Sequence, residues 1–102
     1  MSLKYYIMKD IWAILLNDIK EYCEKYHLKY GYITDLGHMV SLEVHYLTQF
    51  LFIIVLTDTH VMFSIPKDGN MLYKSINYSE VSNTWMQETI TQFPHVMRHI
   101  HE

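Results

Sequence analysis

Cysteine, glycine and proline are all scarce: one, three and two in 102 residues. A lone Cys23 excludes an internal disulfide framework and a cysteine-rich zinc site, which need thiols in pairs or fours. Gly31, Gly37 and Gly69 form neither a GxGxxG fingerprint nor a phosphate loop, so nucleotide binding in a backbone cradle is disfavoured. No GxSxG nucleophile elbow occurs either. Positive charge is in short supply. Eight Lys and Arg face eleven Asp and Glu, a net charge of −3. A sequence-independent grip on phosphates needs several cations on one surface, so nucleic acid is not an expected partner. Lys20, Lys25 and Lys29 make at most a short basic strip, interrupted by Glu21 and Glu24. The longest apolar run, 50–56, has seven residues, against about 20 for a membrane-spanning helix. Lys4 and Lys9 flank a short apolar patch that lacks a small-residue cleavage site. The chain therefore reads as intracellular, with no membrane span.

Apolar residues make up 50% of the chain and aromatics 15%, enough for one packed domain over 1–102. Trp12, Leu15, Leu16, Ile19, Tyr22, Cys23 and Tyr26 recur at three- and four-residue spacing, which predicts a helix over 10–27 capped by Asp10. From residue 30 the period changes to two. Val40, Leu42, Val44 and Tyr46 alternate with Ser41, Glu43, His45 and Leu47, and Val61, Phe63 and Ile65 alternate with His60, Met62 and Ser64. With the β-prone runs 30–36 and 50–56, these predict hairpins over 30–47 and 50–65. The turn cluster Pro66-Lys67-Asp68-Gly69-Asn70 leads into a fifth, shorter strand over 71–76. Asn77 and Glu80 have capping-box spacing before a helix over 79–92, whose apolar side carries Val81, Trp85, Met86, Thr89, Ile90 and Phe93. Pro94 breaks or kinks that helix, and Val96, Met97 and Ile100 continue the spacing.

The expected fold is α+β: two β-hairpins in a mostly antiparallel sheet, with a helix at each end. Tyr30, Tyr32, Ile33 and Leu36 align with Phe50, Phe52, Ile53 and Leu56 at an offset of 20. Two similar half-motifs, 1–48 and 49–102, related by a pseudo-twofold axis, are one reading of that repeat. The other is that any two one-sided hairpins share the pattern.

The run 50–56 is apolar on both faces and would aggregate if bare. It is therefore a central strand with double cover, or another protein chain covers it. Tyrosine and methionine, here nine and seven, are enriched where proteins meet. The leading reading is a non-enzymatic protein-interaction module that needs no cofactor. It would bind another protein or an extended peptide in a groove between the halves or along a sheet edge, or pair with a second copy. The expected contact residues are Tyr30, Tyr32, Tyr46, Phe50 and Phe52. Tyr22, Tyr26, Tyr30 and Tyr32 crowd one stretch, with Tyr5 and Tyr6 at the start of the chain.

The alternative is a small metal-dependent enzyme or metal-binding protein built on some of the seven histidines. His95 and His99 stand four apart on a helix, with His101 nearby, and this spacing puts two imidazoles on one face. Glu43 and His45 share an outward strand face, and His60 holds an outward position on another strand. Cys23 with His27 four residues on has the spacing of a thiol and a base, although its place on the apolar stripe suits a small hydrophobe better.

The length, the Tyr/Ile/Met/His bias and the hairpins over 30–47 and 50–65 resemble small proteins of crenarchaeal filamentous viruses, lipothrixviruses of the Acidianus filamentous virus type. That resemblance implies two similar structural units, no assigned catalytic activity and contacts with other proteins in the cytoplasm of an infected host cell. It carries over no site residues.

Overall fold

A computed structural model describes residues 3–100, with side chains described for 10–34 and 36–100. His101 and Glu102 lie outside the described residues, as do the side chains of Lys4, Tyr5, Tyr6 and Lys9. Helix α1 (Leu3–Lys25) precedes strands β1 (Lys29–Asp35), β2 (Val40–Tyr46), β3 (Gln49–Leu56), β4 (His60–Lys67) and β5 (Asn70–Asn77). A 3₁₀ turn (Tyr78–Glu80) follows, then helices α2 (Trp85–Thr91) and α3 (Pro94–Ile100). The strands form one antiparallel meander in the order β1-β2-β3-β4-β5. β2 and β3 pair along their length, so the sheet runs unbroken across the 48/49 boundary.

Helix α1 starts seven residues before the expected Asp10 cap, which therefore lies inside the helix rather than at its end. Its C-terminus closes in a Schellman arrangement: Leu28 N–H donates to the Cys23 carbonyl at 2.8 Å and His27 N–H to Glu24 at 3.4 Å. His27 takes the left-handed position (φ 58°) usually given to glycine. At the other end of the chain, Asn77 makes no side-chain cap and the expected capping box does not form. A 3₁₀ turn takes its place and α2 starts at Trp85, six residues later than the periodicity predicts. Pro94 breaks the helical run as expected and opens α3 at its first position, where no backbone donor is needed.

All three helices pack over one face of the sheet. The core joins Trp12, Leu15, Ile19, Tyr22 and Cys23 of α1 to Leu42, Val44, Phe52, Ile54, Leu56, Val61, Phe63 and Ile65. Trp85, Met86, Ile90, Val96 and Ile100 complete it from α2 and α3. The rings of Phe52, Phe63 and Trp85 form a chain with centroids 5.8 Å apart at each step; such pairs contribute about 0.5–1.5 kcal/mol each beyond area burial.

Polar groups fix the helices on this core. Trp12 Nε1–H donates to the Thr57 carbonyl at 2.9 Å and contacts the Tyr78 hydroxyl at 3.1 Å. Tyr78 O–H donates to the same carbonyl. The middle of α1, the β3–β4 turn and the 3₁₀ turn are thereby held at one point.

Candidate interaction surface

The sheet has a second face, and its residues follow from the strand register. One row across it is Thr34, Ser41, Val55, Met62 and Ser75. The next is Gly31, Glu43, Ile53, Ser64 and Tyr73. Toward the β2–β3 turn come Lys29, His45 and Phe50, and on β4 and β5 Pro66 and Met71. Ile53, Val55, Met62 and Phe50 are half-buried and none belongs to the core or packs against it; Phe50 also lines a groove shared with α3. Met71 and Tyr73 are exposed, Tyr73 at 66%. No described helix covers this side. An antiparallel sheet with one wet face ordinarily alternates apolar-in and polar-out. Here β3 is apolar on both sides, and β4 and β5 add Met62, Met71 and Tyr73 to the same outer patch.

Charge is sparse on this face. Glu43 is its one carboxylate among the described side chains, 3.5 Å from His45 Nε2 on the same strand. His45 in turn meets Phe50 edge-on, with centroids 5.5 Å apart.

The expected contact residues are divided among three places. Phe50 lies on the open face. Tyr30 and Tyr32 stand opposite Val44 and Leu42, on the helix side of edge strand β1, and are exposed. Tyr46 is half-buried, its ring centroid 6.2 Å from that of His99. Phe52 has no exposure and belongs to the core, because a β-bulge at Leu51 moves it to the inner side opposite Val44. Sequence reasoning saw that the run 50–56 needs two covers. It missed Met62, Met71 and Tyr73, although apolar residues in the wet register of β4 and β5 are the signal that marks them.

His95 and His99 do come together, at a groove of about 220 Å³ between α3 and the β2–β3 and β4–β5 turns. Each has a protein partner there. His95 Nε2–H donates to the Pro66 carbonyl at 3.0 Å, and the Gln49 amide donates to His99 Nε2 at 3.3 Å. His60 is bound at the β3–β4 turn, its Nδ1 within 2.9 Å of Thr59 Oγ1 and 3.1 Å of Thr57 Oγ1. It lies about 20 Å of strand from His45, so Glu43, His45 and His60 do not form one site. Among the described residues no group of three or more His, Cys, Asp or Glu is placed to hold a metal ion. Cys23 is fully buried, and burial with the neighbouring Glu24 charge pushes its thiol up to about 12. This is the opposite of what a thiolate nucleophile requires.

No helix among the described residues is long and apolar enough to cross a membrane. No protein-family model, curated protein or solved structure matches the chain.

Proposed function

We propose that this protein is a non-enzymatic interaction module whose docking surface is the open face of its five-stranded sheet. The observation that carries this reading is the chemistry of that face: Phe50, Ile53, Val55, Met62, Met71 and Tyr73 occupy positions that a wet sheet fills with polar groups. Such a patch is stable in water when another polypeptide removes it from solvent. Aromatics and methionine are the residue types that protein contacts favour.

The two sheet edges suit docking less well. β1 is broken by a register shift at Ile33, and β5 carries Lys74 on its helix-side face. Bulges and inward charges are devices that discourage strand addition.

A photo-reactive cross-linking residue placed at Met62, with a control at exposed Glu24 on α1, tests the proposal in cells. The expected result is covalent protein adducts from position 62 and few from position 24. Equal yields from both positions would remove the open face as a special surface.

A further inference from the structure

The size and shape of the open face narrow the choice of occupant. Five strands, each about 4.8 Å wide and about 25 Å long, present roughly 600 Å² in projection. An extended peptide is one strand wide and covers about a fifth of that width. A helix about 10 Å across covers less than half. A second sheet matches the whole of it, since sheets pack face to face about 10 Å apart.

We infer that the occupant is a second copy of this chain, packed sheet on sheet to form a symmetric four-layer dimer, helices–sheet–sheet–helices. This inference rests on the reading of the open face as a docking surface and names its partner. A twofold axis through the face sets apolar centre on apolar centre, Val55 and Met62 of one copy against the same patch of the other. The electrostatics allow it. The chain is acidic overall, but Glu43 is the one described carboxylate on this face, with the His45 imidazole 3.5 Å away on the same strand. Lys29 on edge strand β1 is the other described ionic side chain of the face, so each copy brings one carboxylate and one lysine to the seam rather than a cluster of like charges. Roughly 600 Å² from each partner totals about 1,200 Å², the lower bound of specific, stable interfaces. The dimer also gives the apolar run of β3 its second cover: the inner side is sealed by this chain's helices and the outer side by the other copy's sheet.

The test is the mass of the purified, untagged chain by sedimentation equilibrium over a concentration series, for the wild type and for Met62→Lys and Tyr73→Glu. The expected wild-type species has twice the chain mass of 12.3 kDa. Each variant should weaken the dimer about tenfold or more while keeping the wild-type circular dichroism spectrum. Tyr73 is largely exposed in the single chain, so its substitution reads the interface even where Met62→Lys fails to fold. A monomeric wild type, or a dimer that Tyr73→Glu leaves intact, overturns the inference. Adducts from position 62 that join this chain to a different protein, with a monomeric purified chain, would reject the second copy while leaving the docking surface in place. An absence of adducts would reject both.

Discussion

The indole Nε1–H of Trp85 donates to Asp18 Oδ2 at 2.9 Å, joining α2 to α1 across 67 positions of sequence. Trp85 is buried against Phe63, so its one polar atom depends on that carboxylate. The pair fixes where the C-terminal helices land on the sheet, and hence which sheet face is covered.

Asp18→Ala leaves a buried indole donor without its acceptor. The expected loss is about 1–2 kcal/mol, read as a lower urea midpoint at unchanged denaturant slope. Asp18→Asn keeps an acceptor oxygen and is expected to recover more than half of the loss. Equal losses for both variants would mean that the hydrogen bond is not what Asp18 contributes.

How legible this was in the sequence depends on range. The stripe of α1, the two hairpins, the fifth strand and the break at Pro94 all follow from local periodicity and turn chemistry. Asp18 belongs to the polar side of that same periodicity, and nothing local marks it as the partner of Trp85. The late start of α2 has a similar cause. Tyr78 is drawn to the Thr57 carbonyl and Trp12, and this long-range demand replaces the capping box that Asn77 and Glu80 suggest. The open face was half legible. The run 50–56 shows that β3 wants two covers, but Met62 and Met71 read as ordinary strand residues until the register places them beside it.

Adjacent residues of β3 provide a test of which face is core. Ile54 is fully buried and Ile53 half-buried on the opposite side. Ile54→Ala is expected to cost about 2–5 kcal/mol through lost burial and a cavity. Ile53→Ala, measured in a single-chain background carrying Tyr73→Glu, should cost under about 1 kcal/mol because no described helix packs over it. Similar costs at the two positions would contradict the one-sided packing.

Leu47, in the β2–β3 turn, has φ 55° and an exposed side chain. The left-handed region costs an L-residue about 1–2 kcal/mol, whereas glycine enters it freely. Leu47→Gly therefore relieves strain at one site while adding freedom to the unfolded chain, and a net gain of about 0.5–1 kcal/mol is expected. The check is a rise in melting temperature. A fall would show that the Leu47 side chain makes a stabilising contact that its exposure conceals.

Alkali should unfold the protein through groups it holds protonated. Burial pushes the Cys23 thiol from an ordinary value near 9 up to about 12, with Glu24 adding to the effect. Burial also raises the hydroxyls of Tyr22 and Tyr78 above the ordinary value near 10. In the unfolded chain these groups ionise at their ordinary values. Above pH 9 the unfolded state therefore releases protons that the folded state keeps, and the equilibrium moves toward unfolding. Their contribution is fully present below pH 9 and is lost as the pH climbs from 9 toward 12, the thiol acting first and the two tyrosines from about 10 upward. Urea midpoints measured from pH 7.5 to 10.5 should be level at first and then fall. Cys23→Ala removes the earliest-acting group, so its midpoint should hold level to a higher pH, whatever the variant's stability at neutrality. A wild-type midpoint that falls no faster than that of Cys23→Ala between pH 9 and 10 would mean that the thiol ionises as readily folded as unfolded. In that case native Cys23 would also react with a thiol reagent at the unfolded rate.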